Sequence, residues 1–279
     1  MEMQQKPIQE LLKFSIINID KPTGPTSFQI SDFVRRSLDL NKTSHFGTLD
    51  PQVTGVLPVA LNRSCRLNEY FMHRDKVYVG IMRLHKDVSD SELKKAMKSQ
   101  TGEITQLPPL RSSVKRAERV REVKKFEIIE REGKDVLFIA EVEAGTYIRR
   151  ICDDIGKEIG GAHMLELRRT RASIFGEKDS IDLYKFEQAV EEYKKGNENL
   201  LRNILIPAES CILKVMSSVQ VKKSSIKQLL TGKPLMKVDI QEVLPEEEIF
   251  AIFNNNQFLA IMKKSDEKDI IARPEFVFN

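Results

Sequence analysis

Short apolar runs, each followed by turn-forming residues, constrain the fold of this 279-residue chain more than any other feature of its sequence. Runs rich in β-branched and aromatic residues cover 14–20, 77–84, 123–130 and 136–143, and the last two are joined across Gly133. Residues of these types, in runs of this length, are typical of β-strands. Segments with helical periodicity separate the runs, so the sequence predicts an α+β protein.

The helical segments carry recognisable start signals. Ser27 is a candidate N-cap for a helix whose apolar residues recur at i+3 and i+4. Ser89 begins a capping box for a helix that runs to about Ser99. We also predict helices over 147–159 and 179–193.

A second unit begins near Pro207. We predict strands over 212–221, 249–253 and 257–262 and a helix over 224–231, a strand-rich pattern that fits a small barrel. We therefore divide the chain into an N-terminal arm that packs on the second unit, a main domain and a C-terminal domain, over residues 1–13, 14–206 and 207–279.

Composition narrows the classes of protein further. The net charge of +4 is compatible with a polyanionic partner without requiring one. Cys65, Cys152 and Cys211 form no Cys-x-x-Cys pair, so we expect neither a disulfide framework nor a metal site. No apolar run approaches the roughly 18 residues of a membrane span, and residues 1–10 lack a signal peptide's apolar stretch. We therefore expect no membrane association and a cytoplasmic location.

Three patches contain side chains suited to chemistry. The turn 20–27 is stiffened by two prolines, but it lacks the Walker pattern of a phosphate loop. The stretch 41–55 is too rich in glycine and proline for a regular element, yet it contains His45 and Asp50. On spacing alone, an aspartate that shapes a turn is the simpler interpretation of Asp50. The third patch, Gly-Thr-Tyr-Ile-Arg-Arg at 145–150, lies where a strand meets a helix.

Basic residues form two clusters along the chain. The sequence is compatible with two interpretations of these clusters: a charged surface in contact with solvent, or a surface along which RNA binds. The clusters comprise Lys115, Arg116, Arg119, Arg121, Lys124 and Lys125, and then Arg168, Arg169 and Arg171.

The three patches, in this order, resemble the motifs of the pseudouridine synthase family that includes bacterial TruB and the dyskerin-like proteins. The resemblance covers about residues 16–171 and includes a further basic motif at 161–170. It implies a catalytic domain with a mixed, largely antiparallel sheet flanked by helices, followed by a small barrel-like PUA domain. It also implies an isomerase that converts uridine in RNA to pseudouridine and requires no cofactor or metal.

With this resemblance, particular residues acquire candidate roles. We assign catalysis to Asp50, Tyr78 and Arg149, substrate binding to His45, Leu167 and Lys21, and RNA binding in the PUA domain to Lys222, Lys223, Lys227 and Lys233. An arginine beside a carboxylate favours its ionised form. We therefore predict a buried ion pair between Asp50 and Arg149, although the two residues are far apart in sequence.

Details of the sequence resemble the dyskerin branch found in archaea and eukaryotes. These are Arg83-Leu84-His85, the stretch 108–116 and the tail from about Cys211, whereas Phe46 stands where that branch usually has serine. Members of the branch work in box H/ACA ribonucleoproteins. The resemblance thus implies guide RNA, ribosomal RNA and small accessory proteins as partners, with transfer RNA as a further substrate. A stand-alone transfer-RNA synthase of the TruB type and a non-catalytic RNA-binding scaffold are the alternatives.

Overall fold

The computed structural model describes residues 6–107 and 117–279. Its α-helices are α1 Ile8–Lys13, α2 Ser27–Ser37, α3 Asn68–Met72, α4 Asp90–Ser99, α5 Ile148–Ile159, α6 Leu183–Lys194, α7 Asn199–Ile204, α8 Ala208–Val215 and α9 Ile226–Leu230. Its strands are β1 Ser15–Lys21, β2 Thr43–His45, β3 Thr54–Leu61, β4 Lys76–Leu84, β5 Gly102–Gln106, β6 Arg119–Glu132, β7 Asp135–Val142, β8 Ala162–Ala172, β9 Phe175–Gly176, β10 Ile206–Pro207, β11 Ser218–Gln220, β12 Leu235–Met236, β13 Ile249–Asn254, β14 Gln257–Lys264 and β15 Ile270–Val277. The stretch 108–116, with Lys115 and Arg116, lies outside the described residues.

The main sheet has the strand order β10-β1-β3-β8-β4-β7-β6-β5, with β2 and β9 paired to β3 and β8. Its strands pair antiparallel except for β3 and β8, which run parallel and place Gly55 opposite Arg169. The hairpin predicted across Gly133 is β6–β7. The predicted fold class, α+β with a mixed, largely antiparallel sheet and flanking helices, is confirmed.

The last six residues of the predicted arm form helix α1. Ile8, Leu11 and Leu12 of α1 are buried in the same hydrophobic cluster as β1, β3 and α2. Lys13 Nζ lies 5.7 Å from the centroid of the Phe278 ring, near the end of the chain. The three-part division of the chain stays a prediction.

The C-terminal strands form a separate five-stranded sheet, in the order β11-β13-β14-β15-β12. The strand predicted over 212–221 is wrong in its first half, because helix α8 continues to Val215 and β11 begins at Ser218. Ala208, Cys211 and Val215 recur at helical spacing and are buried, so one apolar helix face explains the run as well as a strand does.

An aromatic cluster joins this sheet to the main one. Phe14, next to β1, stacks on Phe258 of β14 with ring centroids 5.4 Å apart. The same ring contacts Phe276 and Phe278 at 6.3 and 4.3 Å. Aromatic side chains bury large apolar areas, so this contact is a substantial stabilising interface between the two sheets.

None of the helices in residues 6–107 and 117–279 combines the length and the apolar character needed to cross a membrane.

Candidate active site

The irregular stretch between β2 and β3 carries Asp50, and a buried serine fixes the residue beside it. Ser27 Oγ accepts a hydrogen bond from Leu49 N at 2.8 Å and donates one to Leu49 O at 3.0 Å. The sequence predicted Ser27 as the N-cap of α2, but Thr26 occupies that position and forms a capping box with Gln29. The Ser27 hydroxyl is therefore available to position the Asp50 backbone.

Lys21, at the end of β1, holds the other side of this stretch. Its buried ammonium donates to the carbonyl oxygens of Pro22, Pro51 and Val53 at 2.8, 3.0 and 2.9 Å. Burial lowers the pKa of Lys21, and the charge of Asp50 partly opposes that effect. Because an ammonium has three hydrogens, the backbone uses all of them, and none remains for a substrate.

Arg169 of β8 lies beneath the same stretch, although no role in the site was predicted for it from the sequence. Its side chain is almost completely buried, and Nε and Nη2 donate to Val56 O and Gly47 O at 2.8 and 2.9 Å. Burial lowers the pKa of Arg169, which contact with Tyr78 partly offsets. One guanidinium therefore ties together both ends of the segment that contains Asp50.

The close approach of β3 and β8 depends on Gly55. A Cβ atom at this position would lie 2.2 Å from the Arg169 carbonyl oxygen. The residue also adopts a φ of +102°, which favours glycine. A glycine here therefore lets the strand after Asp50 pair with β8.

Tyr78 and Leu167 project from neighbouring strands on one face of the sheet. Tyr78 of β4 is paired with Arg169, and Gly80 is paired with Leu167. Since residues two apart on a strand share a face, both candidates lie on the Arg169 side. A Cβ atom on Gly80 would come within 2.9 Å of Leu167 Cδ1, so the leucine packs over the glycine.

Arg149 lies in the first turn of α5, shortly after Tyr147, whose backbone is hydrogen-bonded to β5. Gln106 Nε2 donates to Tyr147 O at 3.2 Å, and Tyr147 N donates to Gln106 Oε1 at 3.0 Å. The Gln106 side chain is buried, so this reciprocal amide pair fixes the start of the helix. This role of Gln106 was not predicted from the sequence.

The predicted ion pair between Asp50 and Arg149 is present, with Arg149 Nη2 2.8 Å from Asp50 Oδ2. Its expected burial is wrong, because the two side chains are 58% and 47% exposed, respectively. An exposed carboxylate can be approached by a substrate, and the arginine beside it supplies a charge-assisted hydrogen bond.

His45 and Phe46 face different environments at the start of the Asp50 segment. His45 Nε2 lies 3.1 Å from Thr48 Oγ1, and burial, followed by the charge of Arg169, lowers the pKa of His45. The ring is therefore neutral at pH 7. Phe46 is buried and stacks on Phe71 with centroids 4.8 Å apart, so the departure from serine fills an aromatic cluster.

The second basic cluster is committed to internal contacts. Arg168 forms two hydrogen bonds of 2.9 Å to Asp20, and Arg171 Nη2 bonds to Glu141 at 2.6 Å. Arg169 is buried, whereas the side chains of Arg168 and Arg171 remain partly exposed despite these bonds. In the first cluster, ion pairs engage Arg121, Lys124 and Lys125.

The four lysines proposed for RNA binding are exposed, and within the described residues none of them has a carboxylate within 4.0 Å. Lys222 Nζ donates to Val238 O at 2.7 Å, which fixes one of them beside the exposed Val238. Lys223, Lys227 and Lys233 lie on or next to α9 and its preceding 3₁₀ turn. Their positive charge therefore faces solvent.

Comparison with protein families gives two adjoining matches. Residues 35–148 match the N-terminal domain of TruB family pseudouridylate synthases, and residues 149–213 match a C-terminal domain of transfer-RNA pseudouridylate synthase B. A probable tRNA pseudouridine synthase B of Methanocaldococcus jannaschii is 42% identical over 230 residues, which are 82% of this chain and 68% of the relative. The chain belongs to the TruB family of pseudouridine synthases. It is therefore an isomerase that converts uridine to pseudouridine in RNA.

Further similar proteins are archaeal. A protein of Archaeoglobus fulgidus with the same description is 38% identical over 95% of this chain and 84% of its own length. Among solved structures, a Cbf5-Nop10-Gar1 complex matches with a TM-score of 0.88 and 37% identity, over 99% of this chain and 88% of that chain. An H/ACA ribonucleoprotein bound to a substrate RNA that contains 2'-deoxyuridine matches with a TM-score of 0.88 and 35% identity, over the same shares.

Proposed function

We propose that this TruB family member is a guide-dependent enzyme, which modifies ribosomal RNA chosen by a box H/ACA RNA and also accepts transfer RNA. The observation that carries the guide dependence is the likeness to the H/ACA ribonucleoprotein chain, which covers 99% of this chain with a TM-score of 0.88. The names of the curated relatives point to transfer RNA, which supports the second substrate.

Asp50 is the proposed catalytic carboxylate. Its segment is fixed by Ser27, Lys21 and Arg169, while its side chain remains exposed and bonded to Arg149. A fixed backbone with an accessible carboxylate favours attack at one position on a bound nucleotide. Asp50 either attacks the sugar or first removes a sugar proton, and Arg149 stabilises and orients the ionised carboxylate in both routes.

The proposed reaction conserves atoms and protons. The N1–C1' bond of uridine breaks, the base turns, and a C5–C1' bond forms. The proton lost from C5 is balanced by the proton gained at N1. Tyr78 is the proposed acceptor of the C5 proton, and its ring, which is only 9% exposed, supports the flipped uracil together with Leu167.

Two substrate-binding assignments take a more specific form. We propose that Lys21 positions Asp50 rather than touching RNA, because its three hydrogens already bond to backbone carbonyls. His45, neutral and near Thr48, is the proposed occupant of the space that the flipped base leaves in the RNA.

We propose that residues 207–279 act as a PUA domain that holds RNA away from Asp50. The five-stranded sheet and the unpaired positive charges of Lys222, Lys223, Lys227 and Lys233 support this role. Small accessory proteins are the further proposed partners, since similar chains are found in complexes with Nop10 and Gar1.

The test is a four-way assay of pseudouridine formation with the purified chain and its small accessory proteins. Ribosomal RNA fragments and transfer RNA are each incubated with and without a matching guide RNA. Guide-dependent modification of the ribosomal fragment is the expected result. Modification of transfer RNA alone supports a stand-alone synthase, and binding without product on either substrate supports a scaffold.

A further inference from the structure

Arg169 is a buried cation whose contacts with the Asp50 segment do not include a carboxylate. Its guanidinium is 1% exposed, and within the described residues no carboxylate lies close enough to form an ion pair with it. Burying a charge without a counter-ion is costly. An apolar side chain would be buried at this position with a smaller free-energy penalty than arginine. The presence of arginine therefore indicates that its hydrogen bonds have a function.

Its known bonds account for two of its nitrogen atoms. Nε donates to Val56 O at 2.8 Å, and Nη2 donates to Gly47 O at 2.9 Å. These carbonyls lie on opposite sides of Asp50 in sequence. The remaining nitrogen, Nη1, is close to Gly47, since a Cβ atom built there would lie 3.3 Å from it.

Tyr78 is the direct cross-strand partner of Arg169 in the β4–β8 pairing. Side chains that are directly opposite in an antiparallel pair have Cβ atoms about 5 Å apart and project from the same face. Contact with Tyr78 raises the pKa of Arg169 against the lowering effect of burial, and toward a phenol oxygen the guanidinium can only donate. The Tyr78 oxygen is therefore placed to accept a hydrogen bond from Arg169.

We propose that Arg169 is a positioning residue that sets the Tyr78 hydroxyl relative to Asp50. The inference rests on the proposed role of Tyr78 as acceptor of the C5 proton. A planar guanidinium holds its N–H groups in fixed directions, so three bonds to Gly47, Val56 and Tyr78 place the two halves of the site in one geometry. With one lone pair of the phenol oxygen occupied, the other side of that oxygen faces the bound base, where it can take up the C5 proton as its own hydroxyl proton leaves toward N1.

The test is a double-mutant cycle of Arg169→Lys and Tyr78→Phe. A lysine keeps the charge but replaces the rigid fork with a single ammonium, so the three bonds cannot all persist. We expect Arg169→Lys to slow single-turnover formation of pseudouridine about 100-fold, the loss typical of a misplacement near 1 Å. The dissociation constant for RNA should change less than about threefold, because Arg169 does not reach the surface.

In the Tyr78→Phe background, the same Arg169→Lys change should slow the reaction less than about tenfold, because the hydroxyl that it positions is gone. A full 100-fold loss in both backgrounds overturns the inference, since Arg169 would then act on the backbone alone. Reactions followed over many hours allow the slow variants to be quantified.

Arg171→Lys is the matched control. It lies two residues further along β8, beyond a register shift that places it opposite Val77 on the other face of the sheet. It bonds to Glu141 and to the carbonyl of Ser173 rather than to the Asp50 segment. We expect its turnover to remain within about threefold of the wild-type rate. If Arg171→Lys lost as much turnover as Arg169→Lys, a general disturbance of β8 would explain both losses, and the inference would be overturned.

A second measurement avoids any change at Arg169. Tyr78→Phe removes the acceptor of a buried charged donor, which is expected to lower the midpoint of thermal unfolding by several degrees. An unchanged midpoint overturns the contact, even if Arg169→Lys fails to fold. Asp50→Asn separates this inference from the proposed function. If Asp50→Asn retains turnover the catalytic assignment fails, and if it is inactive while the cycle is additive only the positioning role fails.

Discussion

Replacing Arg149 with alanine should separate the stability of the protein from its activity. The Asp50–Arg149 pair is 2.8 Å long, yet its side chains are 58% and 47% exposed. Exposed pairs contribute about 0.2–1 kcal/mol to folding, because water and salt screen them. In a chain of this size, that range lowers the midpoint of thermal unfolding by at most about 4 °C.

The effect on turnover should be much larger than the effect on stability. When RNA covers the pair, water is displaced, and the same separation of charges produces a stronger interaction. Loss of one preorganised donor at a reacting centre typically costs about 10²–10³ in rate. We therefore expect single-turnover pseudouridine formation by Arg149→Ala to fall by that factor at saturating RNA.

Arg150→Ala provides the control, since Arg150 lies next along α5 and pairs with Asp154 at 3.2 Å. The assay compares thermal midpoint, RNA affinity and single-turnover rate for both variants. Turnover of Arg149→Ala within threefold of wild type refutes the reasoning. So does a loss of stability well above 1 kcal/mol, because the pair would then behave as a buried one.

Three further predictions follow from the same structure. Asp50→Asn should abolish isomerisation while RNA binding, measured by titration, stays within a few-fold; substantial residual turnover would contradict the catalytic role. Lys76 is 5% exposed, and its pKa is lowered from 10.5 to about 8, first by burial and then by the charge of Arg169. Between pH 8 and 10.5 this lysine binds fewer protons in the folded protein than in the unfolded chain. Below pH 8 its burial therefore lowers the free energy of unfolding by about 3 kcal/mol, and this loss of stability disappears as pH rises through 10.5. The stability of Lys76→Met relative to wild type, from denaturant unfolding, should therefore fall by about 3 kcal/mol between pH 7 and 10.5, and a pH-independent difference would exclude a lowered pKa. Lys222→Glu with Lys223→Glu should weaken guide-RNA binding and flatten its salt dependence by roughly one slope unit per lost phosphate contact; an unchanged affinity and slope would place the RNA elsewhere.

The sequence predicted the parts of the site that recur as motifs. Asp50 and Arg149 belong to two such motifs, and their resemblance to a known family led to an ion pair that the structure contains. The hairpin across Gly133 could be predicted from local signals alone, because two strand-like runs flank a glycine.

Side chains that bond to backbone carbonyls could not be predicted in this way. Gln106 and Lys21 are buried and hold neighbouring segments, but such contacts depend on tertiary placement and leave no spacing in the sequence. Arg169 lies two residues after Leu167 and shares its face of β8, but no strand was predicted over this basic motif. It was instead grouped with Arg168 and Arg171 as surface charge, because burial of an unpaired arginine is rare.

The Phe14 contacts have a consequence for how the protein unfolds. Phe14 and β1 belong to the main sheet, whereas Phe258, Phe276 and Phe278 come from the end of the chain, and the strand that borders β1 is formed by 206–207. If the chain were cut before residues 206–207, the main sheet would lose its edge strand β10. The aromatic rings of Phe14 on one fragment and of Phe258, Phe276 and Phe278 on the other would then be exposed. The two sheets should therefore melt in a single cooperative transition, with the first and last strands of the protein lost together.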